Sequence, residues 1–377
     1  MRKLFSSFLI FIIANINAQE IINASLIHNG TERFYTIYVP EMYNEQDTVP
    51  LLFNFHGYTM NVEEQMFLGD MRSVADTAGF ILVYPLGTLL ESSQEEHWNV
   101  GGWTIQSTAD DIGFTQAMID QLLQDYNINE DRIYSCGYSN GGYFSFKLAC
   151  QLSDKIAAIG CVGGSMTPEV FENCNPSKPT SIIKIHGDQD FIVGYNGNIW
   201  TIPIDDVISY WVSFNNTDSV AIVSYLPDLD TNDGSTVQKS AFIGGDNETA
   251  VELYKVIGGG HDWPGNTGNK DFNAGQAIWN FVSQYDINGL IKEPVANTID
   301  EQLSDFNFLV YPNPSAQSLH IDNPWPVQVS YTIVNGLGQN CISGTLYQGV
   351  NIIATESLEK GFYLLKMGRQ TIKIQIL

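Results

Sequence analysis

The serine at position 139 lies in a glycine-rich turn whose spacing suits nucleophilic chemistry. The pentapeptide Gly137-Tyr138-Ser139-Asn140-Gly141 follows an apolar run at 132–136 and precedes a helical run at 144–152. A serine hydroxyl is a weak nucleophile unless it is exposed, oriented and paired with a base. A sharp turn from a strand into a helix exposes it, and glycines at both ends of the pentapeptide avoid clashes there. Because the helix N-terminus adds N–H groups that stabilise an oxyanion, we predict Ser139 as the nucleophile.

Glycine is abundant in this chain, so the pentapeptide needs support from its context. The chain holds 33 glycines among 377 residues, and a motif of this length arises by chance in roughly one such chain in five. Its position between a strand run and a helix run supplies that support. The nearby run Gly163-Gly164-Ser165 lacks the trailing glycine and is the weaker candidate.

The elements that would position this turn alternate along residues 20–287. Short apolar runs typical of strands occur at 34–39, 51–55, 80–84, 132–136, 157–162, 181–185 and 251–257. Helical patterns lie between several of them, and the clearest begins after Asp110-Asp111, whose charges suit a helix N-terminus. Near-continuous apolar strands separated by helices indicate a mostly parallel sheet covered on both faces. The predicted fold class is α/β with a doubly wound sheet.

A general base for Ser139 must be one of the chain's six histidines. Strand-to-helix serine turns of this kind are followed along the chain first by the acid and then by the histidine. His186 and His261 follow the serine within the α/β region. His261 comes after a strand run and three glycines, so its loop can bring the imidazole over the serine. His186 leaves its strand directly, and we expect it to brace the acid loop instead.

The acid that orients the histidine must come from the loop after the 181–185 run. A carboxylate there would accept a hydrogen bond from the second ring nitrogen and fix the tautomer. Asp188 and Asp190 both lie in that loop, and spacing alone does not choose between them. Asp262 neighbours the base and is expected to be solvated.

A second oxyanion donor is expected from the loop after the 51–55 run. The sequence there is His56-Gly57-Tyr58-Thr59, and an early loop supplies this donor in folds with such a serine turn. The backbone N–H of Tyr58 or of Thr59 would join the N–H of Asn140. A plain turn is the alternative.

Three tryptophans are candidates for the substrate groove: Trp98, Trp103 and Trp263. Aromatic faces suit sugar rings or an aromatic acyl group. Their alternative is an ordinary place in the core.

Charge and cysteine content narrow the possible partners and the compartment. The formal charge of −25 argues against nucleic acid and anionic membranes as partners. Residues 1–19 have the pattern of a cleaved export signal, with no later segment able to span a membrane.

Export permits disulfides, but five cysteines leave at least one unpaired. Cys161 and Cys174 are the predicted pair, Cys136 is predicted to be a buried thiol, and no metal-ligand spacing occurs among the five.

The pattern of residue types along the sequence changes near residue 288. Residues 288–305 are polar and acidic and indicate a linker. Short alternating runs separated by turns follow in residues 306–377 and predict a small antiparallel β-sandwich. A carbohydrate-binding module is the alternative for this region, but it shows no row of exposed aromatics.

Residues 24–285 resemble the secreted polyhydroxybutyrate depolymerases and feruloyl or acetylxylan esterases of the carbohydrate esterase family 1 type. The matching segments are short motifs spread over the region: Arg33-Phe34-Tyr35, Phe55-His56-Gly57, residues 75–87, residues 98–102, Asp110-Asp111-Ile112-Gly113-Phe114, residues 137–142, His186-Gly187-Asp188-Gln189-Asp190 and residues 258–265. The resemblance implies an α/β-hydrolase fold, Asp190 as the acid of a Ser139–His261–Asp190 triad, and no metal or organic cofactor. The loop after Gly57 departs from the family, because Tyr58, Thr59 and Met60 follow where members often have more glycine.

The resemblance implies a serine esterase acting on polysaccharide side chains, such as feruloyl or acetyl groups, or else on a short-chain polyester. A non-catalytic surface binding protein is the third reading. The complete set of serine, acid and histidine in the expected chain order argues against it.

The C-terminal region is similar to the type A sorting domain of the type IX secretion system of Bacteroidota. The matching runs are Tyr311-Pro312-Asn313-Pro314-Ser315, Leu319-His320-Ile321, residues 335–339 and residues 358–366. This resemblance implies the secretion machinery as a partner, and an extracellular or cell-surface protein whose tail can be cleaved.

Overall fold

A computed structural model describes residues 19–292 and 308–377, except 316, 324–328, 336–339, 348, 357, 359 and 368–369. The chain divides into two compact units after Ile291. The predicted export signal (residues 1–19, apart from Gln19) and most of the predicted linker lie outside the described residues. The described start of that linker belongs to the first unit, because Gly289–Leu290 pairs with Tyr285–Asp286.

The first unit alternates strands and helices as the sequence predicts. Its strands are β1 (Glu20–His28), β2 (Thr31–Val39), β3 (Val49–Phe55), β4 (Ile81–Pro85), β5 (Thr88–Leu89), β6 (Glu96–His97), β7 (Ile128–Tyr138), β8 (Ala158–Val162), β9 (Ser181–Gly187), β10 (Ile222–Tyr225), β11 (Thr236–Phe242), β12 (Val251–Ile257), β13 (Tyr285–Asp286) and β14 (Gly289–Leu290). Its α-helices are α1 (Val62–Leu68), α2 (Arg72–Ala78), α3 (Asp111–Asp125), α4 (Asn140–Gln151), α5 (Pro168–Glu172), α6 (Ile204–Phe214) and α7 (Ala274–Val282). Two short 3₁₀ turns lie at Gly102–Thr104 and Asp246–Glu248.

Ten of these strands form one mixed sheet, which confirms the α/β-hydrolase fold class. Their order is β1-β2-β4-β3-β7-β8-β9-β12-β11-β10. The six central strands from β4 to β12 run parallel, whereas two antiparallel strands close each edge. The carboxyl ends of β3, β7, β8, β9 and β12 therefore meet along one edge of the sheet, where ligands bind in open α/β sheets.

The sheet is buried on both faces because its central strands are apolar at successive positions. In β3, Leu51 and Phe53 pack into one hydrophobic cluster, whereas Leu52 packs into the cluster on the opposite face. Helix α3 covers the first face, with Phe114 and Met118 buried. Its N-terminus is capped by the Asp110 carboxylate, which accepts from the Gly113 N–H at 2.9 Å.

The predicted disulfide between Cys161 and Cys174 is wrong in one of its two cysteines. Cys174 is bonded to Cys150 at the end of α4 and not to Cys161. Cys161 lies in the central strand β8 and is fully buried there as a thiol, as Cys136 is in β7. Two side chains held in neighbouring strands of a sheet interior cannot reach a surface loop without moving the backbone.

The described residues of the second unit form seven antiparallel strands in two sheets. They are β15 (Leu309–Tyr311), β16 (Ser318–Asn323), β17 (Val329–Val334), β18 (Asn340–Leu346), β19 (Gly349–Ala354), β20 (Gly361–Met367) and β21 (Gln370–Ile376). The sheet orders are β15-β16-β19 and β18-β17-β20-β21. Side chains from both sheets, including Leu319 and Leu365, share one core, which makes this unit a β-sandwich.

Candidate active site

Ser139 occupies the sharp turn between β7 and α4. Its backbone has φ 50° and ψ −117°, a conformation that L-residues rarely adopt and that is concentrated at functional sites. The Ser139 N–H donates to the Val162 carbonyl of the neighbouring strand at 2.8 Å. The strained residue is thus held at the carboxyl edge of the sheet, with helix α4 beginning directly behind it.

The two glycines of the turn are required by close backbone packing. A Cβ at Gly141 would lie 2.1 Å from the Phe55 carbonyl oxygen, and one at Gly137 would lie 2.5 Å from the Gly141 carbonyl. Neither position can take a side chain unless the backbone moves. The motif is therefore explained by the crossing of β7, α4 and the end of β3.

Asn140 is fixed by a pair of hydrogen bonds to Trp98. Its side chain accepts from the Trp98 N–H at 2.7 Å and donates to the Trp98 carbonyl at 3.1 Å. Both side chains are fully buried. This contact anchors the first residue of α4, and its backbone N–H is the first free donor of the helix.

The loop after β3 is held so that only one of the two proposed donors is available. The Thr59 N–H already donates to the Glu96 carbonyl at 2.9 Å. In the described part of the chain the Tyr58 N–H has no backbone acceptor, and Tyr58 lines the same cavity as Ser139. The geometry therefore favours Tyr58 over Thr59 as the second donor.

His56 shapes this loop from the inside. Its Nδ1–H donates to the Gly57 carbonyl at 2.7 Å, and its Nε2 accepts from the Gly87 N–H at 2.9 Å. These two bonds need the neutral imidazole, because Nε2 must keep its lone pair. Burial lowers the pKa of His56 from 6.5 to about 4.

Acid should therefore destabilise the fold through His56. An unfolded chain binds a proton at His56 below about pH 6.5, and the folded chain does so only below about pH 4. The contribution of His56 to the free energy of unfolding is therefore complete above pH 6.5 and is lost as the pH falls to 4. The gap corresponds to about 3 kcal/mol. Urea unfolding at pH 7 and pH 4 should show a smaller fall in the free energy of unfolding for His56→Gln than for the wild type. An equal fall in both proteins would contradict the assignment.

His261 and Asp190 are joined by a hydrogen bond. The His261 Nδ1–H donates to Asp190 Oδ2 at 2.7 Å. The other oxygen of Asp190 accepts from the N–H groups of Ile192 and Val193 at 2.9 and 2.8 Å. Burial of the carboxylate raises its pKa, but these hydrogen bonds outweigh burial and hold the pKa of Asp190 below its usual value. An ionised acid on Nδ1 leaves Nε2 free to accept a proton.

Spacing alone did not choose between Asp188 and Asp190 as the acid, and in the structure the two carboxylates make different contacts. Asp188 accepts from the Gly258 N–H at 2.8 Å and so ties down the glycine loop that carries His261. His186 lies behind Asp190, where its Nε2–H donates to the Val193 carbonyl at 2.8 Å. Of these three residues, Asp190 is the one that hydrogen-bonds to the His261 ring.

Ser139 and His261 are brought to the same place by contacts of their neighbours. The Tyr138 hydroxyl donates to the His261 carbonyl at 2.7 Å. A Cβ built on Gly163 would lie 3.2 Å from the His261 ring, and one on Gly164 would lie 2.7 Å from the Ser139 carbonyl. The hydroxyl of Ser139 makes no hydrogen bond within 3.5 Å among the residues that the structure describes.

A cavity of about 210 Å³ opens beside Ser139. Its lining is largely aromatic and aliphatic: Tyr58, Trp103, Ser139, Tyr143, Ile192, Val193, Asn198, Trp200 and Thr201. The Tyr143 hydroxyl bonds the Thr201 hydroxyl at 2.7 Å, and the Trp103 ring packs edge-on against Tyr143 at 5.0 Å. The cavity can thus hold a small apolar group next to the serine.

Of the three proposed groove tryptophans, only Trp103 lines this cavity. Trp98 and Trp263 are 0% and 2% exposed and belong to the two core clusters. Placing them in the groove was therefore wrong. Trp200 was missed, although it lines the cavity and is 44% exposed. It lies in the loop after β9, where residues 191–200 show no periodicity that separates an exposed aromatic from a buried one.

No cluster of three or more histidine, cysteine or acidic side chains able to hold a metal ion is found among the residues with described positions. Across the described segments of both units, no helix has the length and apolar character needed to span a membrane.

The fold and the strained serine turn define a chain of the α/β-hydrolase class. Residues 104–201 match the Phospholipase/Carboxylesterase family, and residues 309–376 match the secretion system C-terminal sorting domain. Curated relatives include a bifunctional acetylxylan esterase/xylanase from Neocallimastix patriciarum, 28% identical over 69% of this chain, and feruloyl esterase B from Piromyces equi, 27% identical over 66%. These findings confirm the resemblance to feruloyl and acetylxylan esterases and the resemblance of the C-terminal region to a secretion sorting domain. The likeness to polyhydroxybutyrate depolymerases stays a prediction.

The chain spans only 34% and 44% of the length of these two relatives. Similar solved structures include a ferulic acid esterase from Anaeromyces mucronatus, with 15% identity and a TM-score of 0.47 over 71% of this chain and 90% of that one. An acetyl xylan esterase from Aspergillus awamori has 14% identity and a TM-score of 0.48 over 64% of this chain and 94% of that one.

Proposed function

We propose that this protein is a serine esterase that removes feruloyl or acetyl groups from plant polysaccharide. The observation that carries the proposal is the hydrogen bond of 2.7 Å between His261 and Asp190, at the sheet edge where the strained Ser139 opens into an apolar cavity. Esterase relatives of both kinds support the chemistry.

The proposed reaction transfers the acyl group in two steps. Ser139 Oγ attacks the ester carbonyl and gives its proton to His261 Nε2, while Asp190 holds the imidazolium that forms. His261 then returns the proton to the leaving alcohol. Water attacks the acyl-enzyme with the same base and releases the acid. The Ser139 hydroxyl must turn toward Nε2 when substrate binds, because catalytic hydrogen bonds often form only in the complex.

The developing oxyanion is proposed to lie between two backbone donors. The N–H of Asn140 comes from the start of α4, and the N–H of Tyr58 comes from the loop after β3. Both segments are fixed by buried partners, Trp98 for Asn140 and His56 for the loop. Donors that are already oriented stabilise the transition state without reorganising.

The cavity supports an acyl group with an aromatic ring. Trp103, Trp200 and Tyr143 line the cavity beside the serine, and aromatic pairs contribute about 0.5–1.5 kcal/mol beyond burial of area. An acetyl group would fill only part of this space. The cavity therefore favours the feruloyl substrate among the two.

One assay on the purified full chain tests the proposal. Methyl ferulate, acetylated xylan and a polyhydroxybutyrate suspension are offered separately, and released ferulate, acetate and hydroxybutyrate are measured. Release from either of the first two supports the proposal. Turnover of the polyester alone would favour a polyester depolymerase instead. No release from any of the three substrates would reject the esterase proposal.

Replacing Trp200 with alanine should weaken binding of the aromatic acyl group. We expect KM for methyl ferulate to rise by about 5-fold, because one ring contact of about 1 kcal/mol is lost, with a much smaller change for p-nitrophenyl acetate. Phe67→Ala is the matched control, since Phe67 is exposed and does not line the cavity. Equal changes for both esters would show that Trp200 does not contact the acyl group.

A polyester depolymerase is the second candidate, and one observation favours it. Phe191 and Ile199 are 85% and 77% exposed in the loop that lines the cavity. Exposed apolar side chains beside a catalytic cleft suit contact with an apolar polymer.

The sorting domain supports export of the protein by the type IX machinery to the cell exterior or the cell surface. A predicted signal at residues 1–19 would bring the chain to that machinery.

A further inference from the structure

A lysine lies buried in the central sheet behind the candidate acid. Lys184 belongs to β9 and is fully buried. Its Nζ donates to the Ile185 carbonyl at 3.0 Å and lies 2.7 Å from His186 Nδ1. The Cys161 thiol faces it from β8, where the two residues are paired in register. Lysine is almost never fully buried unless its charge is compensated, so this side chain needs an explanation.

The protonation of His186 follows from its other hydrogen bond. Nε2 lies 2.8 Å from the Val193 carbonyl oxygen, and a carbonyl can only accept, so Nε2 carries a proton. The remaining nitrogen, Nδ1, therefore shares one proton with Lys184 Nζ. A lysine amine is more basic than an imidazole by about 4 pH units. Lys184 therefore donates to a neutral His186, and the nearby carboxylate of Asp190 favours the protonated form of the amine.

Asp190 is the carboxylate that compensates this buried cation. His186 Nε2 lies 3.5 Å from Asp190 Oδ2, the oxygen that also accepts from His261. The Asp190 side chain has no exposed surface. A buried carboxylate and a buried ammonium are thus connected through one neutral imidazole, in a medium where charges interact strongly. Burial lowers the pKa of Lys184, and Cys161 and then the charge of Asp190 oppose that change.

Other titratable groups face this chain of residues from the surrounding elements. They are Cys161 from β8, Lys255 from β12, Tyr143 from α4, Asp205 from α6, and Tyr138, Tyr195 and His261 from the loops and strand ends. Burial raises the pKa of the Cys161 thiol, so it stays neutral. Lys255 lies over the Tyr195 ring at 4.5 Å and is only partly buried, so solvent screens its charge. Of these groups, Lys184 is the fully buried lysine, and its charge interacts with that of Asp190.

We propose that Lys184 is a positioning residue whose ammonium, acting through neutral His186, keeps Asp190 ionised and lowers the pH at which the Asp190–His261 pair takes up a proton. The inference rests on the proposed esterase function. It gives the buried lysine a role in setting the pH range of the reaction. The lysine touches neither substrate nor the reacting atoms.

The Lys184→Met variant tests this role because it keeps the length of the side chain and removes the charge. Loss of a nearby cation raises the pKa of every acid around it, so the acid limb of kcat/KM against pH should move upward by about 0.5–1 pH unit. The plateau at high pH should change less than about 5-fold. A purely structural lysine would lower the whole profile without moving its acid limb.

Lys239→Met is the matched control for this experiment. Lys239 lies two strands away in β11 and pairs with Glu252 at 2.7 Å, so its removal makes the same change of charge without touching the buried chain. Its acid limb should coincide with that of the wild type. An unshifted acid limb in Lys184→Met, with an active wild type, would overturn the inference and leave the esterase proposal standing.

A second measurement is made on the wild type and does not depend on esterase activity. In ¹⁵N-histidine-labelled wild type, His186 should be neutral at pH 7 with its proton on Nε2 and none on Nδ1. The signal is assigned by its loss in His186→Gln. A protonated Nδ1 would show that Lys184 is a neutral amine and would overturn the inference. A wild type without esterase activity would instead reject the proposed function.

Discussion

The Ser139→Ala variant is expected to lose at least about 10³-fold in kcat/KM for p-nitrophenyl acetate, because removal of the nucleophile leaves only binding and oxyanion stabilisation. The fold should not change, since the hydroxyl forms no hydrogen bond among the described residues. Initial rates and the midpoint of urea unfolding, measured on the same preparations, separate a catalytic effect from a structural one.

Ser165→Ala is the matched control for the nucleophile. Ser165 lies in the other glycine-rich run, is fully buried, and donates to the Ile202 carbonyl at 2.7 Å. Its removal should cost stability and leave the rate within about 3-fold of the wild type. If Ser165→Ala were inactive and Ser139→Ala active, the nucleophile would be wrongly assigned.

The Asp190→Asn variant is expected to lose about 10³-fold or more in kcat with little change in KM. An amide in place of the carboxylate can donate to Nδ1, which puts the imidazole proton on Nε2 and removes the base that Ser139 needs. The amide also cannot stabilise the imidazolium. Single-turnover acylation by p-nitrophenyl acetate measures this step directly.

Asp188→Asn makes the same chemical change two residues away. The Asp188 carboxylate accepts from the Gly258 N–H of the glycine loop, and an asparagine oxygen can accept that bond equally. We expect its kcat to stay within about 5-fold of the wild type. A loss as large as that of Asp190→Asn would mean that loop geometry and not the carboxylate governs the rate.

The central strands could be predicted from the sequence because burial on both faces demands continuous apolar runs. All seven predicted runs of the first unit are strands of the sheet. The strands that were missed, β1, β10 and β11, lie at its edges. There one face is exposed, and polar residues occupy alternate positions or, in β10, the whole strand is exposed. Their pairing depends on neighbours that the sequence does not reveal.

The positions of the candidate site residues were predictable only where a strand end fixes them. Ser139, Asp190 and His261 each follow a central strand, so chain order brings them to one edge. Chain order does not predict whether an aromatic side chain is buried or exposed. For this reason Trp98 and Trp263 were wrongly placed in the groove and Trp200 was missed. The choice of Tyr58 over Thr59 needed one backbone hydrogen bond to Glu96 that no spacing encodes.

The Cys150–Cys174 bond has a consequence for how the protein must be made. Cys150 ends the helix that starts at the serine turn, and Cys174 follows α5. Inside a reducing cytoplasm both sulfurs would stay thiols. The C-terminal end of α4 is therefore cross-linked to Cys174 only after the chain enters an oxidising compartment. We expect periplasmic preparations to resist urea better than cytoplasmic ones, and the two should be treated as different molecules in any comparison of variants.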